Sequence, residues 1–311
     1  MTRSLTMPGT VLTIGKFDGV HAGHAQLLRE VIELARGRGL APAVLTFDRH
    51  PACVVAPDRA PRPLMTVDER CEKIRKLGVE RIFVLPFTQD IARLTPEQFV
   101  VRYIRDEMDA RVLLVGHDFR FGHKQAGTPE VLKELGICYG FEVRFIEPVR
   151  RRGLLVSTSE IRTRVEAGNV SKAARLLEHP YGLSGPVVTG QGIGRKQTVP
   201  TLNLEPSDEV LPRDGVYITR TFDLASTRSW NSITNIGVRP TFDGASRTIE
   251  TFLLDPVDTA PARIRVEFAA RVRDERKFDD AAALKQQILR DVGRAQAYFR
   301  RLARWAPASL P

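Results

Sequence analysis

The sequence predicts two consecutive units: an α/β unit built on a parallel sheet, then a small antiparallel β-barrel or sandwich closed by one helix. Three observations predict this. Short, continuously apolar runs alternate with helix-like segments over roughly the first 180 residues. β-type runs separated by turn residues dominate the rest, and one long amphipathic stretch ends the chain. At 311 residues, the chain has the length of about two domains.

The first unit contains five apolar runs, each short enough for a strand that is buried on both faces: Val11–Ile14, Ala43–Phe47, Ile82–Leu85, Val112–Val115 and Val143–Ile146. Periodic helix-like segments lie between them: Ala25–Arg36, Asp68–Leu77, Pro96–Met108 and Pro129–Leu135. This alternation is typical of a parallel sheet with right-handed crossovers. Ligands of such sheets bind at the carboxyl ends of the strands, so the motifs directly after the runs are candidates for chemistry.

A stretch rich in Pro and Gly at 179–186 predicts a boundary, with domains of residues 1–180 and 181–311. Beyond it lie five β-type runs: Thr198–Leu204, Gly215–Thr221, Ser232–Ile236, Thr248–Leu254 and Ile264–Phe268. The final stretch has a single apolar stripe: Leu284, Ile288, Val292, Ala295, Phe299 and Leu302. Its polar face mixes charge signs, which favours a docking helix over one that binds a membrane. We expect Asp279 to cap this helix.

Composition excludes several classes of protein. The net charge of +10 is spread over both halves, whereas nucleic-acid binders concentrate basic residues in a stripe or tail. No apolar run approaches the ~20 residues of a membrane helix. Cys53, Cys71 and Cys138 are scattered, which argues against a disulfide framework or a cysteine-rich zinc site. We therefore expect a cytoplasmic protein that binds neither nucleic acid nor a membrane. Composition does not determine the oligomeric state, for which our expectation is a monomer or weak homo-oligomer.

The first motif follows the first predicted strand. The segment Gly15–His24 reads GKFDGVHAGH and leads into a helix. A strand, a turn with glycines and a helix N-terminus form a site for anions, because free backbone N–H groups and the helix dipole point at the ligand. His21 and His24 are three residues apart and share a face of the helix. They are candidates to donate to phosphate oxygens and stabilise charge on an α-phosphate, and Gly23 leaves room for a nucleotide base.

This motif resembles the nucleotidyltransferase superfamily, and the longer string Thr13–His24 resembles the bacterial bifunctional riboflavin kinase/FMN adenylyltransferases (FAD synthetases). The family usually has Asn where this chain has Lys16. The resemblance implies a Rossmann-like nucleotidyltransferase domain followed by a riboflavin kinase-like barrel. It also implies nucleotide contacts by Gly15, Phe17, Asp18 and Gly23, with His21 and His24 catalytic.

Three later segments of the first unit extend the resemblance. Thr46–Pro51 is similar to the family's Thr-Phe-x-x-His-Pro, and Gly116–Gly122 to its Gly-x-Asp-Phe-x-Phe-Gly segment. The second match implies flavin contacts by Asp118, Phe119 and Phe121, although such phenylalanines are by themselves more often core. The segment 157–162 is similar to the Ser-Ser-Thr-x-x-Arg signature and implies that the β- and γ-phosphates are held by Ser157, Thr158, Ser159 and Arg162.

The second unit carries a glycine-rich turn at 190–195, which by itself is weak evidence of a nucleotide site. The following Pro-Thr-Leu-Asn resembles the Pro-Thr-Ala-Asn of riboflavin kinases, whose Thr and Asn ligate Mg²⁺. With this motif beside the turn, we expect Gly192, Gly194 and Arg195 to contact the nucleotide phosphates. Thr201 and Asn203 are two apart on a strand and share a face, as joint ligation requires. Thr198 replaces a glycine of the family.

Glu250 lies on a predicted strand with Phe252 and Leu254 on its face. A carboxylate on an apolar face needs a partner or a chemical role. In the family, a Glu here is the catalytic base that takes the proton of the riboflavin 5′-hydroxyl. The alternative reading is an exposed strand glutamate without a role.

Together these segments predict phosphorylation of riboflavin to FMN, then adenylylation of FMN to FAD, with ATP as co-substrate, Mg²⁺ as cofactor and the flavins riboflavin, FMN and FAD as substrates and products. One alternative is a monofunctional FMN adenylyltransferase with a degenerate kinase unit, suggested by Thr198. A second is a non-enzymatic basic protein that binds nucleotides or RNA, which the spread of charge disfavours.

Overall fold

The computed structural model describes residues 9–188, 201–205, 208–241, 244–257 and 259–305. The chain divides into two compact units, Met1–Glu160 and Ile161–Pro311. The first is the predicted α/β unit and the second contains the predicted barrel. A domain boundary after residue 180 stays a prediction.

The first unit is built on a five-stranded parallel sheet, as predicted. Its strands are β1 (Thr10–Ile14), β2 (Ala41–Phe47), β3 (Arg81–Leu85), β4 (Ala110–Gly116) and β5 (Glu142–Ile146). They lie in the order β3-β2-β1-β4-β5. Strand β1 is buried along its whole length. Because β1 is the central strand of the sheet, the turn that follows it lies at the middle of the carboxyl edge.

The side chains of each apolar run pack into two hydrophobic clusters, one on each face of the sheet. Leu12, Leu45 and Leu113 face a cluster that contains Phe99 and Tyr103. Their neighbours in the runs, such as Val11 and Val44, face the opposite cluster. Since successive side chains of a strand point to opposite faces, a strand covered on both sides has no polar alternation.

Helices cover both faces of this sheet: α1 (Ala22–Arg38), α2 (Ala52–Val55), α3 (Val67–Lys76), α4 (Gln89–Arg93), α5 (Pro96–Phe99) and α6 (Pro129–Tyr139). Two 3₁₀ turns (Pro57–Arg59, His123–Gln125) and a short hairpin, β6 (Arg150–Arg151) and β7 (Leu154–Leu155), complete the unit. The predicted helix Pro96–Met108 is α5 continued by the π-helical segment Val100–Glu107. The predicted helix Ala25–Arg36 begins earlier, at Ala22, which places His24 in its first turn.

The second unit is a closed antiparallel barrel with the strand order β10-β11-β12-β9-β8-β13. The strands are β8 (Tyr181–Val188), β9 (Thr201–Leu204), β10 (Gly215–Asp223), β11 (Ser229–Thr241), β12 (Gly244–Leu253) and β13 (Arg263–Arg273). The helices are α7 (Thr158–Glu166), which starts in the first unit, α8 (Val170–Leu177) and the closing α9 (Ala281–Trp305).

The barrel interior is partly polar. Leu202, Ile249 and Phe268 are buried in it beside a chain of buried hydroxyls. Successive oxygens of the chain are 2.8–2.9 Å apart, in the order Thr221, Ser232, Thr219, Thr234 and Thr251. Every hydroxyl has a partner, so the interior tolerates these polar groups.

Helix α9 packs on the outer face of the barrel through the middle of its predicted stripe. Val292, Ala295 and Phe299 lie against Val216, Ile218 and Ile233. The two ends of the stripe, Leu284 and Leu302, are exposed. The docking role is therefore confirmed for the centre of the helix.

Two details of the second unit differ from the sequence prediction. The sequence analysis predicted no strand at Tyr181–Val188, where the structure has β8. This strand pairs with β13 and completes the barrel, although its Gly and Pro residues favour turns. The cap of α9 is Asp280 rather than Asp279, because the Asp280 Oδ1 accepts the Ala283 N–H at 2.7 Å.

No helix in the described ranges is both long and apolar enough to cross a membrane.

Candidate active sites

The turn from β1 to α1 places both histidines at the start of a helix. His21 is the N-cap of α1, and its Nδ1 accepts the backbone N–H of His24 at 3.3 Å. An imidazole with an acceptor Nδ1 carries its proton on Nε2 when it is neutral. The cap therefore leaves His21 with an N–H donor on the far side of the ring.

The two imidazoles are stacked, with ring centroids 3.7 Å apart and planes inclined by 11°. A Cβ on Gly23 would lie 3.2 Å from Cε1 and 3.3 Å from Nδ1 of His21. The ring of His21 thus gives a local reason for glycine at this position, beside the predicted room for a nucleotide base.

Both histidines are held neutral. Burial lowers the pKa of His21 from 6.5 to about 4. Burial also lowers the pKa of His24 well below its usual value, and the charges of His21, Lys16 and Arg70 lower it further. At neutral pH the pair offers N–H donors rather than positive charges.

The other predicted residues of this turn are packed beside the pair. Phe17 is fully buried, and its ring centroid is 5.0 Å from that of His24. A Cβ on Gly15 would lie 3.1 Å from the Phe17 ring. Asp18 is buried, and its Oδ1 accepts the N–H of Leu64 at 2.8 Å. These contacts show how the turn is held; direct phosphate contacts by these residues stay a prediction.

Arg70 is a part of this site that the sequence analysis missed. Its buried guanidinium donates to the carbonyl of Lys16 at 2.6 Å and to that of Phe47 at 2.5 Å. It therefore joins the loops that leave β1 and β2. The only signal in the sequence is a basic residue beside Cys71 on the apolar face of α3.

The end of β4 holds the predicted flavin contacts. Asp118 is exposed and Phe119 is half-buried, whereas Phe121 is 8% exposed within the core against Phe99. The Phe119 and Phe121 rings stack at 5.5 Å. Phe119 is accessible enough to contact a ligand, and the buried Phe121 packs against the Phe119 ring.

The hydroxyl segment joins the histidine turn. The Ser157 Oγ accepts the N–H of Glu160 at 3.2 Å at the start of α7, and the Thr158 Oγ1 donates to the Asp18 carbonyl at 3.3 Å. Ser159 is exposed, and Arg162 is half-buried further along α7 in the second unit. Ser157 and Thr158 thus lie beside the turn from β1 to α1, and phosphate contacts by this segment stay a prediction.

In the second unit, strand pairing aligns the predicted reactive groups. Glu250 on β12 is the register partner of Asn203 on β9 and of Asn235 on β11. Thr201 is the partner of Phe252, so these side chains share one face of the barrel. Gly192, Gly194, Arg195 and Thr198 lie outside the described residues.

A cavity of about 240 Å³ lies between this face and α9. Its wall includes Glu250 and Asn235 together with the apolar side chains Ile233, Phe252, Phe278, Ile288 and Val292. The cavity thus has a carboxylate and an amide at one end and apolar side chains elsewhere. This lining suits a planar aromatic ligand that carries a hydroxyl.

A polar network that the sequence analysis did not identify forms another part of the wall. Asp291 is 2% exposed and accepts from the Arg273 Nε at 2.8 Å and from the Gln287 Nε2 at 2.8 Å. The Gln287 Oε1 in turn accepts from Arg276 at 2.5 Å. This network fixes α9 against β13 beside the cavity.

The face that carries Glu250 fits a hard cation bound together with phosphate. Thr201 and Asn203 are half-buried there and offer neutral oxygens. In the part of the chain that the structure describes, no three His, Cys, Asp or Glu side chains cluster closely enough to hold a metal ion. Neutral oxygens such as these suit a hard cation whose other ligands are phosphate and water.

Comparison with known proteins covers both units. Residues 4–160 match the family model of FAD synthetase, and residues 177–299 match that of riboflavin kinase. The bifunctional riboflavin kinase/FMN adenylyltransferase of Escherichia coli (strain K12) is 34% identical over 292 residues, 94% of this chain and 93% of the relative. The protein of that name from Pseudomonas fluorescens is 35% identical over 291 residues, 93% of each chain.

Among solved structures, a macrolide-efflux protein from Streptococcus pneumoniae is similar, with a TM-score of 0.84 and 30% identity. The match covers 94% of this chain and 96% of that chain. Similarity to known proteins thus extends over nearly the whole sequence.

Proposed function

The chain belongs to the family of bifunctional riboflavin kinase/FMN adenylyltransferases, and from that premise we propose which residues carry each reaction. The enzyme phosphorylates riboflavin to FMN and adenylylates FMN to FAD with release of pyrophosphate. One observation carries the assignment of residues. Each unit brings its predicted reactive groups together, the stacked imidazoles in the first and Glu250 beside Asn203 in the second.

In the second unit, Glu250 is the base. Riboflavin occupies the cavity under α9 with its flavin ring against Phe252 and Ile288 and its 5′-hydroxyl towards Glu250. The hydroxyl oxygen forms a bond to the γ-phosphorus of ATP, the bond to the ADP oxygen breaks, and the hydroxyl proton passes to the Glu250 carboxylate. The products are FMN and ADP.

Thr201 and Asn203 would hold Mg²⁺ at this site through their side-chain oxygens. Mg²⁺ bound there would supply charge neutralisation for the nucleotide phosphates. The support for this proposal is the half-buried position of both residues on the face that carries Glu250. Gly192, Gly194 and Arg195 are proposed to contact the same nucleotide.

In the first unit, the FMN phosphate attacks the α-phosphorus of a second ATP. A new P–O bond forms, the bond to the β-phosphate oxygen breaks, and pyrophosphate leaves. Because both imidazoles are neutral donors, they stabilise the charge that grows on the α-phosphate without giving up a proton. The N-terminus of α1 adds its dipole to that effect.

The remaining assignments for the adenylyltransferase reaction follow the sequence motifs. Ser157, Thr158, Ser159 and Arg162 are proposed to bind the β- and γ-phosphates. Gly15, Phe17, Asp18 and Gly23 shape the turn around them, and Phe119 contacts the flavin with Asp118 beside it and Phe121 beneath it. Mg²⁺ is proposed to accompany this ATP as well.

We place the enzyme in the cytoplasm as a monomer or weak homo-oligomer that acts on small molecules, without nucleic acid or membrane. The even spread of its net charge of +10 supports the exclusion of nucleic acid.

The test is a time course with purified protein, riboflavin, ATP and Mg²⁺, with the products separated by chromatography. We expect FMN first and FAD after it, and neither product when EDTA replaces Mg²⁺. Formation of FAD from added FMN, without any FMN from riboflavin, would contradict the kinase assignment.

A further inference from the structure

A buried arginine holds the start of the turn that carries the histidine pair. Arg70 on α3 is 7% exposed. Its Nη1 donates to the carbonyl of Lys16 at 2.6 Å, and its Nη2 donates to the carbonyl of Phe47 at 2.5 Å. Lys16 follows β1, and Phe47 is the last residue of β2. One guanidinium therefore fixes the backbones of two neighbouring loops at the carboxyl edge of the sheet.

A second donor fixes the same carbonyl. The Thr46 Oγ1, which is fully buried with its residue, donates to the carbonyl of Lys16 at 3.2 Å. A carbonyl oxygen has two lone pairs, so the two donors together satisfy it. The peptide group between Lys16 and Phe17 is thus anchored to both β2 and α3.

The turn between this anchor and the histidines has an unfavourable backbone conformation. Phe17 has a φ of 50° and Val20 a φ of 40°. This left-handed region disfavours any residue with a Cβ, and a β-branched residue most of all. Such conformations persist only where the surrounding contacts hold them. The peptide group that Arg70 anchors directly precedes the first of these residues, so the guanidinium is placed to hold the turn in shape.

Arg70 also brings a positive charge to this edge of the sheet. Its hydrogen bonds to Lys16 and Phe47 go to neutral carbonyl oxygens, and Asp18 and Asp48 act on it through their charge. Burial of a charged group is costly for the fold unless the group is paired or has a role. A bridge between two loops of a reaction site is such a role.

The charge of Arg70 reaches the histidine pair. The groups whose charges act on His24 are His21, Lys16 and Arg70, and each of them adds to the effect of burial in lowering the pKa of His24. Arg70 thus helps to keep this imidazole a neutral N–H donor.

We propose that Arg70 is a positioning residue of the adenylyltransferase site, which holds the turn that aims His21 and His24 at the reacting phosphate. It acts through the carbonyls of Lys16 and Phe47 rather than by contact with a substrate. This inference rests on the proposed function of the first unit. Since the alignment of the imidazoles matters most in the reaction step, the residue should affect kcat more than KM.

The experiment measures kcat and KM for FAD formation from FMN and ATP by two full-length variants. Arg70→Met removes the charge and both hydrogen bonds, so kcat should fall about ten- to hundredfold with both KM values within about twofold of the wild type. Arg70→Lys keeps the charge but lacks the planar fork that reaches two carbonyls, so its kcat should lie between those of Arg70→Met and the wild type. FMN formation by the second unit should be unchanged in both variants.

A titration of His24 separates the anchor from the charge. Its pKa, followed by NMR of the ring protons, should rise in Arg70→Met because one of the positive charges that lower it is gone. In Arg70→Lys the charge remains, so the pKa should stay at the wild-type value although kcat has fallen. An unchanged pKa in Arg70→Met would contradict the electrostatic part of the inference.

The matched control is Arg75→Met, which removes an exposed guanidinium from the same helix. If Arg70→Met has the kcat of this control, or raises a KM value at unchanged kcat, the inference is wrong. If Arg70→Met does not fold, a wild-type kcat in Arg70→Lys would overturn the inference instead. If the wild-type protein makes no FAD, the proposed function itself has failed.

Discussion

At the scale of single residues, His21 combines three roles in one ring. Its Nδ1 caps α1, its face stacks on His24, and its Nε2 keeps a proton to donate. Burial holds the ring neutral, with a pKa of about 4. The residue can therefore stabilise an anion as a hydrogen-bond donor at physiological pH without first binding a proton.

The lowered pKa of His21 predicts acid-sensitive stability. In the unfolded chain the ring binds a proton below pH 6.5, whereas in the folded chain it does so only below about 4. The unfolded state thus binds more protons between these values, and stability falls as the pH drops from 6.5 to 4, by up to about 3 kcal/mol from this group.

Denaturant unfolding at pH 7 and at pH 5 measures this effect. His21→Asn keeps a capping acceptor but has no titrating ring, so its stability should fall less than that of the wild type on acidification. An equal fall in the two proteins would show that His21 is not held neutral by the fold.

Gly23→Ala is predicted to damage the proposed adenylyltransferase site without loss of stability. The added methyl would lie 3.2 Å from the His21 ring and displace it. A shifted catalytic group should lower the rate of FAD formation about ten- to hundredfold, with FMN formation unchanged. The control is Gly37→Ala in the same helix, whose Cβ would have no neighbour within 4 Å. An FAD rate for Gly23→Ala equal to that of this control would contradict the role given to the ring.

At the scale of elements, α9 shows what a sequence pattern can predict. Its apolar stripe predicts a docking helix, and the central residues of the stripe do pack on the barrel. The same pattern gives no sign that Gln287 and Asp291 are buried, because polar residues next to a stripe usually lie at its exposed border. Their burial depends on Arg273, which comes from a distant strand.

The strands also include some that the sequence predicts and one that it does not. The apolar runs predict the parallel sheet because burial on both faces is a property of each strand alone. Strand β8 was missed because its Gly and Pro residues favour turns, and only its pairing with β13 and β9 makes it a strand.

The candidate active sites differ in the same way: residues in contiguous motifs are predicted, and a residue that acts through contacts between distant segments is not. His21, His24 and Glu250 could be proposed as site residues because they lie within motifs of contiguous sequence. Arg70 could not, since its role is to join two loops that meet only in the folded sheet.

Asp291→Asn is predicted to weaken the attachment of α9. The change removes the carboxylate that pairs with the Arg273 guanidinium and should destabilise the second unit by about 3 kcal/mol. Because the network lines the cavity, KM for riboflavin should rise while FAD formation from FMN stays normal. The exposed acid Asp279, changed to Asn, is the control. Unchanged stability and KM in Asp291→Asn would show that the pair does not hold the helix.

At the scale of the whole molecule, the chain holds two units with separate reactive groups. The imidazole pair belongs to the unit Met1–Glu160, and Glu250 with Asn203 belongs to Ile161–Pro311. Each unit matches its own family model. The account therefore predicts that each reaction can be removed without the other.

The most direct test is product analysis of two variants of the full chain, each supplied first with riboflavin and then with FMN, with ATP and Mg²⁺ present. His21→Ala combined with His24→Ala should make FMN from riboflavin but lower FAD formation by a factor on the order of a thousand. Glu250→Gln should make FAD from FMN but lower FMN formation by a factor on the order of a hundred or more. Loss of both reactions in either variant, with the fold intact by circular dichroism, would contradict two separate sites.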